Sequence, residues 1–229
     1  MERLWTLGSP KRAVRPAQLR CLFAAIRLAI YRFLLEKHDR LMTTCPARPP
    51  ASVRDPNSGT SVALELPDPA ATDALAQRVA LRLMADRVPT CIGLSGDLGA
   101  GKTHFARALI RALPLADGQL DPQAEVPSPT YTLLQAYERQ IGWVWHFDAY
   151  RLSSEAELDE LGWQEILGEA ALLLVEWPER LGRARPASSQ QLRALWLAFK
   201  TQGEGRRLDW PAAQSDWLTD YTSLTEATQ

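Results

Sequence analysis

Eight consecutive residues near the middle of the chain have the types and spacing of a phosphate-binding loop. Glycines let a backbone turn tightly and aim its N–H groups at an anion, and the N-terminus of a following helix adds partial positive charge. Lys102 would contact the β and γ phosphates of a nucleotide, and the Thr103 hydroxyl would be a ligand for Mg²⁺. The stretch is Gly96-Asp97-Leu98-Gly99-Ala100-Gly101-Lys102-Thr103, which fits the pattern G-x-x-x-x-G-K-[ST].

Two carboxylates lie downstream, each at the end of a strand-like run. Asp148 ends residues 143–148, and Glu176 ends the more uniformly apolar residues 171–176. A P-loop enzyme needs such an acid beside the loop to hold or orient Mg²⁺ and its waters. The alternative for either acid is a solvated turn residue, but two of them after a P-loop favour the functional interpretation. His146 would be a metal ligand, a proton relay or an orienting hydrogen-bond group, and the last is favoured because a lone histidine is a weak signal.

A segment rich in proline and hydroxyl groups, residues 126–134, precedes the first of these strands. Two prolines around Ser128 stiffen extended chain there, and Thr130 stands just before a strand predicted to continue to about Glu138. One hypothesis is a switch loop that senses the γ-phosphate through Mg²⁺. The other is ordinary turn and strand chemistry, because Ser, Thr and Pro are common turn residues. The sequence leaves both open.

Strands and helices alternate around these residues. Residues 90–95 suit a buried strand, and apolar residues recur at helical spacing after the P-loop until Pro114. Residues 61–66 alternate as a strand does, and Thr72 or Asp73 would cap the helix that follows.

The second half of the chain continues the pattern. Ser153 or Ser154 would cap a helix between the two carboxylate strands. Residues 190–200 and 206–210 would form a closing β-hairpin around a glycine-containing turn.

Charge is unevenly spread over the 229 residues. The net charge is −1, yet residues 1–50 contain ten Lys/Arg against three Asp/Glu. This asymmetry predicts a separate basic arm. The remainder is acidic, which argues against a protein that binds nucleic acid without a partner, because such proteins usually have a basic face. The three cysteines are far apart and form no C-x-x-C pair, which favours a reducing compartment over a disulfide framework or a zinc site. No uncharged apolar run is long enough to predict a transmembrane helix.

Three regions follow from these shifts in composition. Residues 1–58 would be the basic arm and a Pro-rich linker. The arm itself could be a surface helix on a membrane or partner, a helix docked on the body, or a stretch that is absent if translation starts at Met42. Residues 59–212 would be the P-loop domain, and residues 213–229 would be a C-terminal tail with few apolar anchors.

Four motifs in this order and spacing resemble the TsaE (YjeE) family, the tRNA threonylcarbamoyladenosine biosynthesis ATPases. They are GDLGAGKT at 96–103, SPTYTL at 128–133, HFDAYRL at 146–152 and VEWPERL at 175–181. The resemblance covers roughly residues 61–210. It implies an α/β, P-loop NTPase-like three-layer fold with a mixed central sheet flanked by helices. Three features depart from the family. His104 stands where the family often has a second Thr or Ser, Ala149 stands where it often has Leu, and the arm before Ser61 lies outside the usual family length.

The resemblance also implies a function. ATP and Mg²⁺ would be the cofactors, and TsaB and TsaD would be the partners in the cytoplasm. TsaD with TsaB transfers the threonylcarbamoyl group to transfer RNA, so contact with tRNA would be indirect. The TsaE-like ATPase would reset that complex between turnovers.

Site roles are implied by position. The nucleotide would contact residues 96–103, His104, Thr130 and, on the first helix, Thr72. Lys102, Asp148 and Glu176 would be catalytic, and Mg²⁺ would be served by Thr103, Glu176 and Asp148. Trp177 would shield the nucleotide or support the site.

Two other classes of protein remain open. A small-molecule kinase would use Asp148 as the base for a substrate hydroxyl, but it needs an acceptor pocket and usually an arginine-rich lid. A nucleotide-binding scaffold without turnover is the third interpretation.

Overall fold

The computed structural model describes residues 60–130, 132–187 and 192–214. The predicted basic arm and nearly all of the predicted tail lie outside these residues. Within the described residues, seven strands form one mixed sheet in the order β1-β7-β6-β2-β5-β4-β3. The strands are β1 (Ser61–Leu66), β2 (Thr90–Ser95), β3 (Leu134–Arg139), β4 (Gly142–Asp148), β5 (Ala170–Glu176), β6 (Arg193–Gln202) and β7 (Gly205–Pro211).

The four inner strands decide where the chemistry lies. Strands β6, β2, β5 and β4 are parallel neighbours, whereas β1, β7 and β3 join antiparallel at the two sides. Ligand sites of such sheets form at the carboxyl ends of the parallel strands. The P-loop follows β2, while Asp148 and Glu176 end β4 and β5 and are register partners. The sheet therefore brings all three to one edge.

Helices cover both faces of the sheet. Helix α1 (Pro69–Asp86) and helix α2 (Lys102–Ala112) share one buried apolar cluster with β2, β5, β6 and β7. The opposite face meets two short helices, α3 (Ala156–Glu160) and α4 (Trp163–Glu169), where the rings of Phe147 and Trp163 lie 5.6 Å apart. The α/β, mixed-sheet prediction is confirmed. None of the described helices is long and apolar enough to cross a membrane.

Side-chain alternation along β4 selects the site residues. Val144 belongs to the cluster beneath α1 and α2, whereas Phe147 points to α4. Because strand side chains alternate with period two, His146 and Asp148 share the face of Val144. The same argument places Glu176 with Leu174 on this face of β5.

Two predicted helix starts are wrong. Asp68, not Thr72 or Asp73, caps α1: its carboxylate accepts a hydrogen bond from the backbone N–H of Ala71 at 2.7 Å, and Pro69 occupies the first turn. The helix starts earlier than predicted because Pro69, whose ring fixes φ near the helical value, is favoured at the first helical position and so makes Asp68 the cap.

The helix predicted to be capped by Ser153 or Ser154 begins later, after Glu155, without a side-chain cap. It also ends early, because Gly162 adopts a left-handed φ of 71° and divides the segment into α3 and α4.

The strand predicted directly after Thr130 starts four residues later, at Leu134. The chain turns first: the N–H of Leu133 donates to the carbonyl of Pro129 at 2.7 Å, and Leu133 has a φ of 61°. The closing hairpin is confirmed as β6 and β7, with Gly203 and Glu204 at the turn; Gln190 lies outside the described residues.

Candidate functional site

The P-loop is a tight turn between β2 and α2. Gly96, Gly99 and Gly101 have φ values of 130°, 78° and 106°, which side chains rarely tolerate. A Cβ on Gly96 would collide with the carbonyl oxygen of Phe199 on the neighbouring strand. Gly101 precedes α2 and offers no side chain to cap it. The first backbone N–H groups of α2 are thus available to an anion, as phosphate binding requires.

Lys102 is buried although it is charged. Its Nζ donates to the carbonyl oxygens of Gly96 at 2.7 Å and Asp97 at 2.8 Å, and it stands 4.0 Å from the centre of the Trp177 ring. Burial lowers the pKa of Lys102, while the nearby carboxylates of Glu176, Glu179 and Asp148 oppose that shift. The ammonium group is held inside the loop, where a phosphate would meet it.

A hydrogen-bond network joins the side chains of Thr103, Glu176 and His146. The Thr103 hydroxyl donates to Glu176 Oε2 at 2.7 Å, and His146 Nε2 lies 2.9 Å from Glu176 Oε1. Glu176 and His146 are 3% and 0% exposed, so neither carboxylate nor imidazole relies on bulk water. This hydrogen-bond network links the P-loop to β5 and β4.

A second set of hydrogen bonds holds Asp148 beside this network. Its Oδ1 accepts from the backbone N–H of Tyr150 at 2.9 Å, and its Oδ2 accepts from the Thr130 hydroxyl at 3.1 Å. Ser128 Oγ lies 2.9 Å from Thr130 Oγ1. Burial raises the pKa of Asp148, and the charge of Glu176 adds to the rise. The structure therefore brings Thr130 to Asp148, while the switch role of this segment stays a prediction.

Trp177 has strained backbone where the second carboxylate motif leaves the sheet. Its φ of 58° lies in the left-handed region, which costs a non-glycine residue about 1–3 kcal/mol. The N–H of Trp177 donates to the carbonyl of Leu94 at 3.1 Å, and its ring lies 5.0 Å from that of Tyr150. The conformation places the indole against Lys102, so the strain occurs at the mouth of the P-loop.

The donor atoms fit a magnesium ion. Thr103 Oγ1 and Glu176 Oε2 are two oxygen donors 2.7 Å apart, next to the loop that would hold phosphates. Mg²⁺ prefers oxygen and usually takes one or two carboxylates plus substrate phosphates and water. Asp148 is the register partner of Glu176, so a second carboxylate ends the neighbouring strand.

Two predicted nucleotide contacts sit at the start of the helices. Thr72 is buried in the first turn of α1, and its neighbour Asp73 lies 2.8 Å from His104 Nε2. The start of α1 therefore adjoins the start of α2. At the apex of the loop, Leu98 is 87% exposed, and Asp97 and Gly99 are exposed as well.

Sequence reasoning missed two charged groups. Arg206, on β7, donates from its guanidinium to the carbonyl of Gly99 at 3.3 Å, so it reaches the P-loop. Glu179 has a buried carboxylate oxygen that finds no hydrogen-bond partner in the described part of the chain, and burial raises the pKa of Glu179. Arg180, which follows a carboxylate motif in the sequence, instead lies over the Tyr150 ring at 5.5 Å. A glycine turn next to Arg206 was the only local signal for it.

Comparison with known proteins gives consistent results. The family model described as threonylcarbamoyl adenosine biosynthesis protein TsaE matches residues 66–208. Proteins named tRNA threonylcarbamoyladenosine biosynthesis protein TsaE are similar as well. The one from Rickettsia felis is 42% identical over 86 residues, covering 38% of this chain and 46% of that protein. The one from Synechocystis is 38% identical over 119 residues, covering 51% and 69%.

The Haemophilus influenzae protein of the same name is 37% identical over 87 residues, covering 38% of this chain and 51% of that protein. The chain thus matches about half the length of several of these relatives. Among solved structures, that of YdiB from Bacillus subtilis has a TM-score of 0.50 at 22% identity, covering 74% of this chain and 97% of that one. This structural likeness concerns the fold alone.

Proposed function

Because this chain belongs to the TsaE family of threonylcarbamoyladenosine biosynthesis proteins, we propose that it is an ATPase that serves this modification of transfer RNA. One observation carries the proposal: Lys102, Thr103, Asp148 and Glu176 lie together at one edge of the sheet. Thr103 donates a hydrogen bond to Glu176, Asp148 is the register partner of Glu176, and the charges of both carboxylates act on Lys102. That set contains a phosphate-binding cation, two oxygen donors for Mg²⁺ and a buried carboxylate beside them. Those are the parts that phosphoryl transfer requires.

Each residue has a separate task in this proposal. Lys102 exchanges the carbonyl oxygens of the loop for the β and γ phosphates, and the N–H groups at the start of α2 bind the same phosphates. Thr103 and Glu176 would hold Mg²⁺, and the bound ion would neutralise charge that develops on the phosphates.

Asp148 orients the attacking water. Burial has raised the pKa of its carboxyl, which makes the ionised form a better proton acceptor. Thr130 holds one oxygen of Asp148, so movement of the segment that carries Thr130 would change the water-binding geometry.

Hydrolysis by the protein alone is expected to be slow. Fast turnover needs positive charge over the transferred phosphoryl group, and an arginine in that position is worth roughly a thousandfold or more in rate. The Arg206 guanidinium donates to the Gly99 carbonyl, and the Arg180 guanidinium lies over the Tyr150 ring. We therefore assign completion of the site to the partners TsaB and TsaD, with tRNA engaged through them in the cytoplasm.

A kinase has less support. A cleft of about 520 Å³ lies beside His104, with walls that include Arg107, Arg111 and Glu125. Neither Asp148 nor Glu176 lines it, so the candidate base does not face this cleft. An acceptor hydroxyl bound there would not meet Asp148.

Phosphate release at saturating Mg·ATP tests the proposal. We expect little release from the protein alone, a marked increase with TsaB and TsaD, and loss of that increase in Glu176→Gln. The variant should still bind ATP, because Lys102 and the loop are unchanged. Equal turnover with and without partners, under conditions where the complex is shown to form, contradicts partner gating. Transfer of phosphate to an added small molecule would indicate a kinase.

A further inference from the structure

His146 is a polar side chain in an apolar place. It lies in the middle of β4, is 0% exposed, and shares its face of the sheet with Val144 and the core beneath α2. Burying an imidazole costs free energy unless its nitrogen atoms find partners. A packing role alone would be served better by an apolar residue, so the contacts of the ring decide what it does.

Only one of the two ring nitrogens has a partner among the residues that the structure describes. Nε2 lies 2.9 Å from Glu176 Oε1, whereas Nδ1 is buried without a hydrogen bond. An ionised carboxylate only accepts hydrogen bonds, so this contact assigns the proton to Nε2. In the neutral ring Nδ1 is then an acceptor without a donor, which is a smaller penalty than a buried N–H without an acceptor.

The contact divides the two oxygens of Glu176 between two donors. His146 binds Oε1, and the Thr103 hydroxyl binds Oε2 at 2.7 Å. Asp148 and Glu176 are register partners, and His146 lies two residues before Asp148 on the same face of the sheet. A hydrogen bond to Oε1 therefore fixes the rotation of the carboxylate plane and keeps Oε2 turned toward the P-loop.

We propose that His146 is the positioning residue of the magnesium site. Through its Nε2–H it holds the Glu176 carboxylate in the orientation that binds Mg²⁺ together with Thr103. This inference rests on the proposed function. Groups that orient the ligands of a metal typically change metal affinity by about 10- to 100-fold when they are replaced.

A pair of amide substitutions separates positioning from packing. In His146→Gln the amide nitrogen reaches about as far as the imidazole Nε2 and can donate to Glu176. In His146→Asn the amide nitrogen stands near the place of Nδ1 and falls short of Glu176. Both variants bury one amide in place of the imidazole. Because Asn is one methylene shorter and leaves its amide unpaired, the melting temperature of each variant is recorded.

The measurement is fluorescence of a mant-ATP probe on the full chain, first in EDTA and then as free Mg²⁺ is raised. We expect wild type, Gln and Asn variants to bind the probe alike in EDTA. The Mg²⁺ concentration for half of the metal-dependent change should rise about 10-fold or more in His146→Asn and stay within about threefold of wild type in His146→Gln.

Each other outcome has a definite meaning. A wild-type Mg²⁺ requirement in folded His146→Asn, or an equal loss in both variants, overturns the positioning role. If His146→Asn does not fold, His146→Gln still decides, because a 10-fold weaker Mg²⁺ response in it also overturns the role. Wild-type protein that does not bind the probe at all refutes the proposed nucleotide site itself, which is a different failure.

Discussion

Replacing Lys102 with alanine tests the assignment of the P-loop most directly. The Lys102 ammonium contacts the carbonyl oxygens of Gly96 and Asp97 and the ring of Trp177. A bound nucleotide must replace at least part of these contacts with phosphate oxygens. The affinity gained from Lys102 is therefore the difference between its bonds to charged phosphate and its bonds to neutral carbonyls.

The size of that difference can be bounded. A hydrogen bond involving a charged group contributes about 1.5–3 kcal/mol net, and charge-assisted bonds are roughly twice as strong as neutral ones. Since about 1.4 kcal/mol is a factor of ten in affinity, the substitution should raise the ATP dissociation constant about 10- to 150-fold. Burial already lowers the pKa of Lys102, so removing the charge also removes a desolvation cost. The fold should therefore lose little stability.

Isothermal titration of Mg·ATP into the full-length protein measures this change. The control is Arg82→Ala, which also removes one positive charge. Arg82 pairs with Asp86, and Asp86 pairs with Arg193 at the start of β6, so the control site lies at the opposite edge of the sheet from the P-loop. We expect wild-type affinity in the control. Wild-type affinity in a folded Lys102→Ala protein refutes the P-loop assignment.

Three further predictions concern stability and domain organisation. Burial raises the pKa of Asp148 above its ordinary value of 3.8, so the contribution of this carboxyl to folding stability is complete below pH 3.8 and is lost as pH rises through the folded pKa. The melting temperature of Asp148→Asn minus that of wild type should therefore increase between pH 4 and pH 8, and a constant difference by calorimetry contradicts this. Gly96→Ala should destabilise the protein by about 2 kcal/mol or more, because its φ is 130° and its new Cβ would collide with Phe199, whereas Gly99→Ala has open space around the Cβ and should cost about 1 kcal/mol. Equal urea midpoints for the two variants would show that the close approach of Gly96 to Phe199 is unimportant. Deleting residues 1–41 should leave the melting temperature and ATP binding unchanged, because a Pro-rich linker separates this basic arm from the P-loop region, and loss of either property would make the arm part of the core.

The sequence alone determined the elements that carry the site. Each depends on residues close together in the chain: the glycine spacing of the P-loop, the apolar run of β2 before it, and the strand-end positions of Asp148 and Glu176. Local patterns of this kind encode strand and helix periods directly. The resemblance of four motifs to the TsaE family indicated the mixed α/β class. The switch role of Thr130 stays one of two interpretations, and the structure adds its contact with Asp148.

Tertiary structure decided which groups meet. The hydrogen bond from Thr103 to Glu176 joins residues 73 positions apart, His146 reaches Glu176 across 30, and Arg206 reaches Gly99 across 107. No local period encodes these pairs, because they depend on strand order and register, which bring β4, β5 and the P-loop to one edge of the sheet. The same holds for the strained backbone of Trp177, since only the packed sheet offers its N–H the carbonyl of Leu94 and its ring the ammonium of Lys102.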